Sequence, residues 1–423
     1  MCDTVAGHLI IGFARLDPAG RGVIEDVREQ RIDHVSYVAS LDDRLKTLDL
    51  PAPPGFAFEF HLVKVPAGSE AWKANYLQFF YKQRFLNALP KLLSDPKYAE
   101  ALGRSDMQFM VAPNHLLTLA QQLPGQGIVR TASFAFDPFH HTYRAMIGMP
   151  TGVRGNVRIA VLDTGVAQDF PGLVGRRRDF VNPAASFSAD DDHGHGTVVS
   201  LIIHDLVPDA ELFVYKIADA KGRASEWDTL VALAACRDVD VVNLSVQFGL
   251  GDRICKTCGR ESHSSRSAAF ENTLGHYAGA GHEPIFVAAA GNASRSDLAY
   301  PARFGGIAAI GAITSRYVLS SESNYGELDH ALGVHPNHFV LPGGEPGPMN
   351  AESVGAFVSS GSPWHGTSMA SAYASGVIGG VLAKAGPGVQ SASLVLQALR
   401  TGADRTHFAS GDPKRFGNGV LRA

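Results

Sequence analysis

The sequence predicts an α/β fold, a mainly parallel sheet with helices on both faces, preceded by a smaller α+β domain. From Asn156 onward, short continuous Val, Ile and Ala runs alternate with helical segments and glycine punctuation. That is the pattern of strands buried on both faces and joined by crossover helices. Before residue 150 the texture changes: Phe56, Phe58, Phe60 and Leu62 recur at period two, and one long helical stretch follows. The expected division is therefore residues 1–150 and 151–423.

Within the second part, strands are expected at Val157–Leu162, Leu212–Ile217, Val239–Val246, Ile285–Ala290, Ile307–Ile313 and Val354–Val358. Helices are expected at Gly196–His204, Glu226–Cys236, Ser267–Ala278 and Thr367–Lys384. In the first part, Pro51-Ala52-Pro53-Pro54-Gly55 reads as a turn. Trp72, Tyr76, Phe79 and Leu86 form a helical stripe that should pack on a sheet. Met107–Ala112 reads as a strand, Asn114 as the cap of a short helix through Leu116, Leu117 and Leu119, and Ile128–Phe136 as a second strand after the Pro124-Gly125-Gln126-Gly127 turn.

A chain of 423 residues with 45% hydrophobic content has enough apolar material for two cores. Its net charge of -4 gives no basic field for phosphate backbones, which argues against nucleic acid as a partner. Arg176-Arg177-Arg178 reads as a solvated turn. No apolar run reaches membrane-spanning length, so no membrane partner is expected. The first residues lack the pattern of a secretory leader; with Met1 as the natural start, a cytoplasmic protein is expected. Four cysteines fit a reducing compartment. Cys255 and Cys258, with His263 following, are either half of a zinc site or a polar loop with two thiols, and no metal is assigned. Asp190, Asp191 and Asp192 read as a solvated acidic turn rather than a calcium site.

Three segments bring chemistry to element boundaries, where α/β folds collect functional groups. Val157 to Gly165 is a buried strand ending in Asp163. His193 to Val199 puts His195 at a helix start, and Gly366-Thr367-Ser368-Met369-Ala370 does the same for Ser368. A serine hydroxyl needs a base to take its proton as it attacks a carbonyl, and His195 suits that task. Asp163 then orients the imidazole and stabilises its charged form. Asn292, which follows the strand ending Ala288-Ala289-Ala290-Gly291, offers a side-chain amide to the oxyanion, together with the Ser368 N–H at its helix start. Of the 17 histidines, His195 is preferred to His193 because Gly-Thr follows it.

Taken in order, Leu162-Asp163-Thr164-Gly165, Gly194-His195-Gly196-Thr197, Ala289-Ala290-Gly291-Asn292 and Gly366-Thr367-Ser368-Met369-Ala370 resemble the aspartate, histidine, oxyanion and serine motifs of the subtilisin-like serine proteases. The likeness covers roughly residues 153–390, and the Asp…His…Ser order separates this family from other triad folds. It implies that Ser245, Val246 and Gln247 pair with an extended substrate, with Ala289, Ala290 and Gly291 also at the substrate. Gln247 and Phe248 stand where the family commonly has glycines, which narrows the first pocket and favours a small residue on the acyl side. Val198 replaces a second histidine and Ala372 a proline. The residues between Phe248 and Ser267 are an insertion, read either as a specificity loop or as a neutral excursion.

The resemblance implies a serine endopeptidase acting on protein or peptide substrates, with no organic cofactor. Residues 1–150 then act as a propeptide-like module, with self-cleavage expected between Phe136 and Pro150, or as a permanent regulatory domain that recruits an activating partner. The alternative from another class is a noncatalytic peptide-binding scaffold of the same fold.

Overall fold

The computed structural model describes residues 4–50, 58–94, 109–119, 127, 129–182, 187–248, 267–277, 283–329, 333–347, 351–358, 360–386, 391–408 and 412–423. Two compact units account for them. One comprises residues 1–116, 225–235 and 250–280; the other comprises 117–224, 236–249 and 281–423. The turns at 51–55 and 124–126 and the Cys255/Cys258 segment with His263 lie outside the described residues.

In the first unit, β1 (Thr4–Ala14) is flanked antiparallel by β3 (Phe58–Lys64) and by β4 (Phe109–Leu119), with β2 (Ser36–Ser40) on the far side of β3. Helices α1 (Pro18–Arg28) and α2 (Glu70–Ser94) pack together, and Leu9, Ile11, Phe13, Val23, Leu77 and Tyr81 share their core. The expected stripe on α2 is met only at Tyr76, which is half-buried against this core; its other three residues face away. Trp72 is 60%, Phe79 56% and Leu86 59% exposed, whereas Lys73, Leu77 and Tyr81 are buried. With aromatics on several faces of this helix, spacing alone could not choose the buried one.

The short helix expected over Leu116–Leu119 is also absent, because these residues continue β4. Asn114 does cap a helix, though not its own. Its Oδ1 accepts from the backbone N–H of Trp227 at 3.0 Å, in the first turn of Glu226–Ala234.

The second unit is built on seven parallel strands. In spatial order they are His338–Pro342, Ala308–Ile313, Ile285–Ala289, Val241–Leu244, Arg158–Asp163, Glu211–Lys216 and Val174–Asp179. Five of these strands match expectation within a residue or two. The edge strand Val174–Asp179 contains Arg176, Arg177 and Arg178, which the sequence reading placed in a turn. Charged residues suit an edge. The Arg176 guanidinium lies 5.2 Å from the Phe213 ring centroid, so its apolar stem and planar head cover an aromatic face. Helices His195–Leu206 and Thr367–Ala385 pack against one another and against this sheet.

Residues 129–150 are integral to the second unit. Phe134–Phe136 pairs antiparallel with Gly355–Phe357, in a small sheet completed by Pro363–Trp364. Helix Pro138–Met146 follows, capped by the Asp137 side chain, with Tyr143 and Met146 buried. His140 Nδ1 meets the Tyr373 hydroxyl, and Arg144 donates to Asp205 at 2.6 Å. The packing division thus falls near Leu117, whereas the change of sequence texture falls at residue 150.

Among the described residues no helix is long and apolar enough to cross a membrane, and no group of His, Cys, Asp and Glu is placed to hold a metal ion. His338, on the sheet edge, is fully buried with no hydrogen-bond partner at either ring nitrogen among the described residues. Burial lowers its pKa to about 3, with His335 adding to the effect, and burial lowers that of His335 to about 4. Both values lie below that of the unfolded chain, so between pH 6.5 and 4 the unfolded state binds more protons. Stability is therefore full above about pH 6.5 and falls on acidification, by up to about 1.4 kcal/mol per pH unit per histidine. His338→Leu should flatten this dependence. Urea unfolding at pH 7.5 and pH 5 reads it, and an equal loss in variant and parent would contradict the assignment.

Candidate active site

Asp163 is the last residue of its strand, and the chain then turns at Thr164-Gly165. Gly165 has φ +108°, and a Cβ there would lie 2.3 Å from the Ala189 carbonyl oxygen, so the turn admits only glycine. The Asp163 carboxylate is fully buried. A buried charge needs donors, and it has them. His195 Nδ1 lies 2.8 and 2.9 Å from its two oxygens, and the Thr164 N–H donates at 2.7 Å. His195 opens its helix after Gly194 at φ +104°. Its other ring nitrogen, Nε2, is buried and has no hydrogen-bond partner among the described residues.

Ser368 is the second residue of the helix Thr367–Ala385, which packs directly on the histidine's helix. It is fully buried, with Oγ 3.5 Å from the Ser245 carbonyl oxygen. The Ser368–His195 hydrogen bond is not formed in this state, since Nε2 is unoccupied. Position 292 is held by Thr367, whose N–H and hydroxyl donate to Asn292 Oδ1 at 2.9 and 2.8 Å. This turns the NH2 end of the amide toward Gly366, where an added Cβ would come within 2.7 Å of Nδ2. The first-turn N–H of Ser368 has no acceptor within its helix. Two donor groups thus flank the serine.

Behind these groups stands Asp191, which sequence reasoning placed in a solvated turn. It is 1% exposed. Its Oδ1 accepts from the His193 and Gly194 N–H groups at 2.9 and 2.8 Å and from the Thr164 hydroxyl at 2.9 Å. Its Oδ2 accepts from the Thr197 N–H at 2.9 Å and its hydroxyl at 2.6 Å. One carboxylate therefore fixes the loop before His195, the first turn after it, and the residue following Asp163. The signal lay in an Asp two residues before His193-Gly194 at a helix start, the geometry of an Asx turn. Lys216 Nζ ties the same loop down, donating to Thr164 O, Asp190 O and Asp192 at 3.0, 2.9 and 2.6 Å.

Trp364 was also missed. It is fully buried four residues before Ser368, with its ring 5.6 Å from that of His195. His193 is buried as well, with its ring 6.2 Å from both.

Of the substrate-binding residues expected, Ser245 turns its side chain inward, with Oγ 3.0 Å from Asn243 Oδ1 and 2.9 Å from Ser371 Oγ. Val246 and Gln247 lie in the strand Val246–Phe248, which pairs antiparallel with Leu117–Leu119 of the same unit. Ala289, Ala290 and Gly291 are buried on the neighbouring strand end. The carbonyls of Ala290 and Gly291 are already taken by the N–H groups of Ala299 and Asn324, each at 2.8 Å.

Comparison with known proteins gives the family. The subtilase family model matches residues 154–419, more than half of the chain. The chain is 27% identical over 292 residues to a thermostable alkaline protease of Halalkalibacterium halodurans, covering 64% of this chain and 68% of that protein. It is 28% identical over 325 residues to the M-protease of Shouchella clausii, covering 72% and 70%. Against subtilisin NAT of Bacillus subtilis subsp. natto, identity is 27% over 251 residues, covering 54% of this chain and 56% of the relative, little more than half its length. The chain belongs to the subtilase family and is a subtilisin-like serine protease.

Proposed function

We propose that the chain is an endopeptidase in which Ser368 Oγ attacks a peptide carbonyl. His195 Nε2 takes the hydroxyl proton and returns it to the departing amine, and Asp163 holds Nδ1–H and steadies the imidazolium. The Asn292 NH2 and the Ser368 N–H meet the oxyanion. Water then hydrolyses the acyl-enzyme, so the cycle needs no cofactor. One observation carries this reading: a buried imidazole has one nitrogen bound to a carboxylate and the other unmet, at the start of a helix packed on the one that presents Ser368. An unmet buried acceptor costs about 1–3 kcal/mol, a cost consistent with a working base.

We also propose that this form is latent. Leu117–Leu119 occupies the edge of Val246–Phe248, where a substrate would add its own strand. Processing, or a partner protein that withdraws the segment, would free the edge. A second reading, a scaffold whose cleft stays closed, is favoured by the complete burial of Asp163, His195 and Ser368.

Labelling with a fluorophosphonate separates the two readings. The endopeptidase should label at Ser368 and lose the label in both Ser368→Ala and His195→Ala. A protein that stays unlabelled after proteolytic nicking of the N-terminal region would be the scaffold. In the labelling form, Asn292→Ala should lower kcat by about 10²- to 10³-fold with little change in KM, a range drawn from this same family. Thr367→Val, which removes one of the two bonds to Asn292 Oδ1 and leaves the backbone N–H, should act the same way but less strongly. A change confined to KM would remove Asn292 from the oxyanion role. Asp191→Ala orphans several buried donors and should cost at least about 3 kcal/mol in denaturant unfolding; a loss under 1 kcal/mol would show that the loop holds without it.

A further inference from the structure

The amide assigned to the oxyanion has a carboxylate for a neighbour. An added Cβ at Gly366 would lie 2.7 Å from Asn292 Nδ2 and 2.9 Å from Glu322 Oε1, so a donor and an acceptor border one gap. Backbone holds them there. The Glu322 carbonyl accepts from the Ser294 N–H at 2.8 Å, and the Ser321 carbonyl accepts from Ser294 Oγ at 2.6 Å. Asn324 Oδ1 accepts from the Ala293 and Arg295 N–H groups, each at 3.0 Å. The loop after Asn292 and the loop that carries Glu322 are thus bonded together on both sides of the carboxylate.

A carboxylate beside a primary amide takes an N–H from it unless a better donor is at hand, since a bond to a charged acceptor is roughly twice as strong as one between neutral groups. His365, the residue before Gly366, is that donor. Its Nδ1 lies 2.7 Å from Glu322 Oε1, and a carboxylate only accepts, so Nδ1 carries the proton. The two side chains are 15% and 21% exposed, which limits competition from water. The nearby Glu345 is engaged elsewhere, its Oε2 accepting from the Ser321 N–H at 2.9 Å. Asn292 meanwhile keeps its Oδ1 on Thr367, with the NH2 end toward the gap.

Resting on the endopeptidase reading, we propose that His365 is a positioning residue for the oxyanion pocket: by giving Nδ1–H to Glu322, it keeps that carboxylate off the Asn292 NH2 group. The attacked carbonyl oxygen gains negative charge as Ser368 Oγ bonds to its carbon, and it needs the amide N–H at that moment. With the imidazole removed, the donor bordering the same gap is the Asn292 amide. Its N–H is then drawn to the carboxylate, and one anion stands beside the place where a second must form. Both effects raise the barrier to acylation. Neither touches the contacts that hold a substrate's side chains, so the loss falls on the chemical step.

The kinetics of fluorophosphonate labelling test this in the labelling form of the full-length protein. Ser368 Oγ bonds to phosphorus, fluoride leaves, and the phosphonyl oxygen takes the oxyanion's place. His365→Ala should lower the maximal labelling rate by about 10- to 100-fold, short of the loss of a whole donor, with the half-saturating probe concentration little changed. Adding Glu322→Ala to that variant should bring the rate back to within about threefold of the parent, because the competitor is gone; a merely structural role predicts a further loss. His365→Asn, which keeps a donor for Glu322, should label at close to the parental rate. Should His365→Ala fail to fold, His365→Leu, which keeps bulk and lacks the donor, takes its place. A double variant no faster than His365→Ala, or a donor-free variant whose maximal rate stays parental, overturns the inference but leaves the endopeptidase. A parent that never labels removes both.

Discussion

The helix that carries Ser368 is buried along its first fourteen residues, and what permits this is a ladder of small polar groups. Asn243 Nδ2 donates to Ser375 Oγ at 3.0 Å, and its Oδ1 accepts from Ser245 Oγ, which in turn meets Ser371 Oγ at 2.9 Å. Ser371 also donates to the Ser368 carbonyl at 2.8 Å. Each hydroxyl left unmet here would cost about 1–3 kcal/mol, so one asparagine on the central strand largely decides whether the helix can lie there. Small residues set the distance. A Cβ on Gly376 would lie 2.4 Å from Leu206 Cδ1, and one on Gly379 would lie 2.9 Å from Ile159 Cδ1. The position of Ser368 is therefore an outcome of core packing, with its own carbonyl at the end of the ladder.

Both functional helices begin in a way that ordinary helices avoid. Gly194 and Gly366 precede them at φ +104° and +99°, and neither start has a side-chain cap. Ser, Thr, Asp or Asn at such a position typically stabilises a helix by about 1 kcal/mol. A cap at 366 is ruled out by the approach of Asn292 Nδ2, so stability there gives way to an amide-lined space. Asp191 and Asn292 do the capping from a distance, one binding N–H groups at and before the histidine's helix, the other the N–H of Thr367. The same bonds that hold these helix ends also set the positions of His195, Asn292 and Ser368.

What could be read from the sequence follows the strength of local signals. The strands around Asp163, Asn243 and Asn292 are buried on both faces and announce themselves as apolar runs, so they were placed within a residue or two. The edge strand through Arg176–Arg178 was not, because an edge tolerates charge and its pairing with Phe213–Tyr215 is non-local. Asn114 to Leu119 has turn and helix residues in a strand, since its pairing partners, and the helix that Asn114 caps, lie far along the chain. Asp163, His195 and Ser368 were legible as motifs at element ends. Asp191, Thr367 and Trp364 were not, because their roles rest on contacts with groups already chosen.

Latency of the proposed kind asks little of the strand that imposes it. Three residues bonded along both edges would bind weakly as a free peptide, because ordering them costs about 1–2 kcal/mol each in backbone entropy. Tethered to the same chain, the segment acts at an effective concentration in the millimolar range or above, and competing peptides must exceed that. Cutting the chain next to Leu119 breaks this arithmetic without altering a single contact of Leu117, Thr118 or Leu119. The bonds that seat the segment stay the same, and its return becomes a bimolecular event once residues 1–116 also part from residues 225–235 of their own unit. A cut at any point within the helix Pro138–Met146 would instead sever a helix packed into the second unit, with the loss of core that this entails.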